Sequence, residues 1–325
     1  MDSNSRRTLV VYSVLIVIIL GGVVYLGRHV INQPWTARDW VAAASVEGKA
    51  YIIGGQDQPK GLLADIMEVD IGRRRLYVVA ELPNPCCCLA VVPMDKKIYI
   101  LGGQGKRGYR DEVLEFDPST KKVRQIAVLP SPRAYGAVAA LSGRLYYMGG
   151  WDGDKRLDEI IEIDPAAMST DIVNRLPSPR EFATGATING RIYALGGENA
   201  AGEPLDEIVE FDPIENRIEV VGRLTSARSR ATAVALDGDI FIIGGMAGEL
   251  SDEVMLVEVD NQVTSKVSCS LPQPVADRAA VAIDEKLYLF GGTDPDFDSQ
   301  IAAWEVDVNS GECENLRLRR PIWIW

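Results

Sequence analysis

Between residues 36 and 320, apolar and polar positions alternate in short runs bounded by turn residues, the signature of half-buried β-strands. Within residues 131–177 four such runs succeed one another: "YGAVAAL", "RLYYMG", "EIIEID" and "TDIVNRL". The second run stops on Gly149-Gly150, and the same ending recurs at Gly54-Gly55, Gly102-Gly103, Gly196-Gly197, Gly244-Gly245 and Gly291-Gly292. Successive first glycines are 48, 47, 47, 48 and 47 residues apart. A period that steady means one supersecondary unit copied end to end, and four strands per copy predict the blades of a β-propeller. The glycines read as structural, because a sharp turn beside a crowded strand needs φ > 0 and close backbone approach.

The diglycine follows an aromatic-containing strand. An acidic pair such as Asp111-Glu112 or Asp158-Glu159 comes after it, and a Pro-Arg such as Pro132-Arg133 comes before it. In these features the chain resembles the Kelch-repeat propellers over residues 36–320. One departure is the tryptophan that Kelch repeats usually carry in the outermost strand, which "KKVRQIAVL" and "NRIEVVGRL" lack. The resemblance implies an all-β, six-bladed Kelch-type propeller with blades near 36–83, 84–130, 131–177, 178–225, 226–272 and 273–320.

The pattern changes before the repeats. Residues 9–26 carry no charge, and 18 residues of helix rise about 27 Å, close to the hydrocarbon thickness of a bilayer. No small-residue cleavage site ends the run, which favours an uncleaved anchor over a signal peptide. The expected organisation is a short tail (1–8), a transmembrane anchor (9–27), a linker (28–35), the propeller (36–320) and an apolar tail (321–325). Arg6 and Arg7 before the span, against Arg28 and Arg38 after it, lean towards a cytoplasmic N-terminus and an extracytoplasmic, periplasmic propeller.

A net charge of −12 argues against a nucleic-acid partner. The five cysteines, Cys86-Cys87-Cys88, Cys269 and Cys313, form no regular disulfide framework. Adjacent cysteines on a strand point to opposite faces, so the triple run reads as packing rather than a metal clip. Cys269 and Cys313 are expected on outer strands of successive blades, too far apart to bridge.

Six copies supply an internal control: a residue shared by most blades holds the fold, and a residue peculiar to one is a candidate for function. Sixteen positions before each first glycine stand Arg38, Cys86, Arg133, Arg180, Arg228 and Val275. The four arginines either tie blades through carboxylates or line an electropositive funnel for an anionic ligand. The acidic pairs recur too regularly for catalysis. Two positions after the arginines the residues vary (Trp40, Cys88, Tyr135, Phe182, Arg230, Asp277), as they do after each diglycine (Gln56, Gln104, Trp151, Glu198, Met246, Thr293). Varied polar and aromatic residues on loops over a rigid scaffold suit a binding face. The candidate binding residues are therefore Arg38, Arg133, Arg180, Arg228, Trp40, Tyr135, Trp151, Phe182, Glu198 and Arg230. The ending "RLRRPIWIW" adds Arg319, Arg320, Trp323 and Trp325 as a candidate membrane or partner interface on the same loop-rich face, with a seam-closing strand as its alternative.

His29 is the sole histidine, so the repeats hold none for a metal or a triad, and no cofactor is expected. Copper oxidases among Kelch propellers use histidine ligands. Two functions remain. One is a membrane-anchored, non-catalytic interaction module in an integral membrane complex. The other, implied by the resemblance, is a periplasmic sugar enzyme like the six-bladed sialic-acid mutarotases, with Glu198 as the acid.

Overall fold

The structure is a computed structural model that describes residues 29–34, 37–57, 61–259, 264–296 and 303–324. The expected anchor at 9–27 and Trp325 lie outside these residues. Among the described residues all regular elements are strands.

Six four-stranded antiparallel blades follow in chain order, each contiguous in sequence, the first lying within a six-stranded sheet that also takes in the two terminal strands. The first holds Ala42–Val46, Lys49–Ile53, Asp65–Asp70 and Arg75–Glu81. The third holds Ala137–Leu141, Arg144–Met148, Glu159–Asp164 and Ser169–Arg175. The sixth holds Ala279–Ile283, Lys286–Phe290, Ala303–Val306 and Cys313–Asn315.

The second strand of each blade is buried on both faces after its first residue, so "LYYM" and "LYLF" are continuous apolar runs rather than alternating ones. The outer strand Ser169–Arg175, by contrast, has no buried residue. The core is six layers, one at each blade–blade junction, and the layer between blades 6 and 1 joins Tyr288 and Phe290 to Ile52, Met67 and Leu76. At two junctions an edge-on ring pair sits in the layer: Tyr51 on Phe116 and Tyr146 on Phe211, both at 5.7 Å. The hydroxyls donate to Glu68 (3.2 Å) and Glu162 (2.9 Å), which satisfies the polar end of each buried ring.

The diglycines join the blades. The amide of each second glycine donates to a carbonyl at the start of the next blade: Gly55 to Cys86, Gly103 to Arg133, Gly150 to Arg180, Gly197 to Arg228, Gly245 to Val275, and Gly292 to Arg38. Every one of the twelve glycines has positive φ. A Cβ on Gly149 would stand 2.6 Å from the Arg180 carbonyl oxygen, and one on Gly102 would stand 2.2 Å from that of Arg133. The turn therefore excludes side chains twice, by backbone conformation and by contact.

The termini differ from expectation. Residues 29–34 of the expected linker form a strand, His29–Pro34, paired antiparallel with the C-terminal strand Arg319–Ile324. That strand borders blade 1 in parallel through the Arg319–Arg75 pair, where the Arg319 amide donates to the Arg74 carbonyl (3.0 Å). Arg75 lies in register with the blade end opposite the diglycines, so the ribbon is rooted at the outer edge of blade 1, away from the loop-rich face. Just before it, Leu316 and Leu318 are buried in the layer between blades 6 and 1. Leu316 and Leu318 thus help fill the seam, while the strand that follows runs on past the outer edge of blade 1. Arg319 is exposed; for Arg320 and Trp323 only the backbone pairing is described.

Candidate functional site

The four ring arginines do not reach the loop surface. Arg133 and Arg180 are fully buried, and Arg38 and Arg228 nearly so. Each pairs within its own blade with the second residue of the acidic pair or its equivalent: Arg38–Asp65 (3.1 Å), Arg133–Glu159 (2.8 Å), Arg180–Glu207 (2.6 Å) and Arg228–Glu253 (2.5 Å). Their backbone carbonyls meanwhile accept from the preceding blade's diglycine. The side chains thus fasten strands within a blade rather than neighbouring blades through carboxylates, the inter-blade bond being a backbone one, and buried as they are they do not line a funnel for an anion.

The two blades without a ring arginine each place another of their own arginines nearby. In blade 2 Arg110 lies beside Cys86 and pairs with Glu112 (2.8 Å), and a Cβ on Gly105 would fall 2.4 Å from its Nε. In blade 6 Arg278 donates from Nε to the Gly291 carbonyl (2.9 Å). Its Nη2 has no hydrogen-bond partner among the described residues, and burial pulls its pKa down to about 10.

The residues two positions further on converge at the channel mouth. Trp40, Cys88, Tyr135, Phe182, Arg230 and Asp277 all have φ between 49° and 61°. Non-glycine residues avoid this region at a cost of about 1–3 kcal/mol each, so a complete ring of six is imposed by the fold. Amide-to-carbonyl bonds run around it, from Cys88 to Trp40, Phe182 to Tyr135, Arg230 to Phe182 and Asp277 to Arg230. Left-handed turns throw the side chains inward. Tyr135 and Phe182 meet at 4.6 Å between ring centroids, Trp40 and Tyr135 at 5.5 Å, and Trp40 and Phe182, from opposite blades, at 5.9 Å.

The Arg230 guanidinium stacks 4.5 Å over Trp40 and forms a two-pronged ion pair with Asp277. Burial lifts the Asp277 carboxyl to about 6; Arg230 opposes the shift, and Asp39 adds to it. The result is a plug. A cavity of about 130 Å³ lies against it, and the channel continues past Ala43, Val91, Val138, Gly185, Ala233 and Ala280.

Outside the plug, Arg156 bridges two carboxylates that the sequence had not brought together. Its Nη2 donates to Glu181 (2.8 Å) and Glu198 (3.3 Å), and its guanidinium sits 5.8 Å from the Trp151 ring centroid. Ser229 donates to the other Glu198 oxygen (2.9 Å). Burial raises the Glu181 pKa; Arg156 counteracts this, and the charge of Glu198 reinforces it. Sequence reasoning missed Glu181 and Arg156. Glu181 could have been found, because its column (Asp39, Cys87, Ala134, Glu181, Ser229, Ala276) varies and is bridged, backbone to backbone, to the column after the diglycine. Arg156 stands three positions before Glu159, in a column (Leu62, Tyr109, Arg156, Pro204, Leu250) that pairs with the position after the diglycine, so counting back from the acidic residue could have found it too.

Comparison with known proteins agrees with this architecture. The model of the KLHDC2/KLHL20/DRC7 Kelch-repeats domain matches residues 27–197, and that of the Kelch motif matches residues 179–217. The chain belongs to the Kelch-repeat family. The solved structure titled "Structure of YjhT" superposes with a TM-score of 0.73 at 15% identity, covering 87% of this chain and 99% of that one. At that identity the likeness speaks for the fold alone. No curated protein matches by sequence.

Proposed function

We propose that this Kelch propeller is a membrane-anchored, non-catalytic interaction module, an accessory subunit of an integral membrane complex, carried on the extracytoplasmic side by residues 9–27. The observation that carries the reading is the contact of Trp40 with Phe182 across the channel mouth. With that mouth plugged and the ring arginines buried, the loop face offers a partner a broad surface of partly exposed aromatics, Trp40, Tyr135, Phe182 and Trp151, ringed by paired charges. Aromatic anchors surrounded by polar groups are what protein interfaces use. Purification of the full chain in mild detergent followed by mass spectrometry tests it: a stoichiometric membrane-protein partner, lost from a Trp151→Ala variant that still folds, is the expected result.

A second reading rests on the Glu181–Glu198 pair. A carboxyl with a raised pKa beside a second carboxylate, next to a tryptophan, suits cofactor-free acid–base work on a sugar such as mutarotation. The soluble fragment from Pro34 onward would then interconvert anomers with no partner present.

A further inference from the structure

Cys87 and Cys88 depart from the arrangement expected of neighbours on a strand. The strand Cys86–Cys87 ends there, and Cys88 turns to φ 57° as a member of the plug ring. That turn undoes the alternation of side chains and brings the two sulfurs to 3.0 Å. Cys86 is excluded from the pair. Its thiol is buried on another side, 3.9 Å from the Gly102 carbonyl oxygen, and a Cβ on Gly103 would come within 2.8 Å of its sulfur. Cys87 is buried, whereas Cys88 is partly open at the mouth.

We propose that Cys87 and Cys88 are a redox-active vicinal dithiol that closes reversibly to a disulfide between adjacent residues at the propeller's plugged mouth. The oxidant is a small disulfide, R–S–S–R. The Cys88 thiolate attacks one of its sulfurs, the R–S–S–R bond breaks, and RS⁻ leaves. The Cys87 thiolate then attacks the Cys88 sulfur, forms the Cys87–Cys88 bond and expels the second RS⁻. Two cysteine thiols are oxidised, one small disulfide is reduced to two thiols, and the two cysteine protons pass to those thiols.

Once formed, the bond should be readily reduced. Adjacent Cα atoms are about 3.8 Å apart, shorter than the usual disulfide span of about 4.4–6.8 Å, and strained disulfides are more easily reduced. Burial and the neighbouring Cys87 raise the Cys88 thiol well above its ordinary value, so exchange should speed up as pH rises. Closure also acts on the binding face, because the Cys88 amide donates to the Trp40 carbonyl (3.2 Å) and its thiol lies beside Tyr135.

The test uses the full chain in mild detergent, equilibrated in glutathione buffers from reducing to oxidising, acid-quenched, alkylated and digested to the peptide spanning residues 76–96. Expected under oxidising buffer is a peptide with one alkyl group, on Cys86, and the loss of two hydrogens; dithiothreitol restores three alkyl groups. Cys87→Ser and Cys88→Ser should each abolish the two-hydrogen loss, and Cys86→Ser should keep it. Phenylarsine oxide should protect the same two thiols from alkylation. Three alkyl groups across the whole range, or a linkage that involves Cys86 or a second chain, overturns the proposal. Should Cys87→Ser unfold the domain, Cys88→Ala decides alone: if it retains the two-hydrogen loss, the proposal fails.

Discussion

The amide of Gly292 donates to the carbonyl of Arg38 at 3.2 Å, and that bond joins the last blade to the first by the same contact that joins every other pair. The ring closes on a repeated element rather than a borrowed strand. Leu316 and Leu318 then seal the junction from outside. The cost falls on the glycines. Gly149→Ala should destabilise by about 2–4 kcal/mol, because it combines a positive φ with a Cβ 2.6 Å from a carbonyl oxygen. Gly143→Ala, also at positive φ but with open space around it, should cost distinctly less. Denaturant unfolding of both checks this; equal losses would remove the blade-joining role.

Arg180→Gln should destabilise by about 3–5 kcal/mol, since it leaves the partly buried Glu207 carboxylate without its buried cation. The measurement is the denaturation midpoint. A loss under 1 kcal/mol would show the pair to be ornamental, as surface pairs often are.

Asp277 sets a pH signature. Its folded pKa of about 6 stands above the ordinary 3.8, so between those values the folded state holds more protons than the unfolded one. Its contribution to stability therefore falls as pH rises through that window and is flat above it. Asp277→Asn has no such dependence. The melting-temperature advantage of wild type over this variant should shrink from pH 4 to pH 6; an advantage that grows would contradict the placement of Asp277 in the plug.

Leu318→Ala should lower the melting temperature more than deletion of residues 321–325. Leu318 is buried in the seam, whereas residues 321–324 of the deleted segment pair with residues 29–32 beyond blade 1. Thermal unfolding of both variants, followed by circular dichroism, checks it. A larger effect of the deletion would make the terminal ribbon part of the closure.

The four-stranded blades and the role of the diglycines were legible because the repeat states each of them six times. The arginine–carboxylate pairing was half legible. The columns were visible, but a column cannot say whether a guanidinium points into a channel or between strands, and Arg110 makes the carboxylate pair of blade 2 from another column. The plug was named residue by residue without its geometry, since the left-handed turn that gathers Trp40, Tyr135 and Phe182 leaves no mark on residues that normally avoid it. The same turn brings Cys87 to Cys88, against the strand rule. Cys269 and Cys313 stand on the outer strands of blades 5 and 6 as free thiols, and the Cys313 thiol sits 3.9 Å from the Ser270 carbonyl oxygen.

The central claim is that the plugged loop face binds a protein. Its most direct test is photocrosslinking in native membranes, with a photoreactive residue at position 151 on that face and, as control, at the exposed position 220 on an outer strand. The account predicts a discrete adduct with an integral membrane protein from position 151 and none from position 220. Equal labelling from both positions, or no protein adduct from 151 while the isolated propeller interconverts sugar anomers, would contradict it.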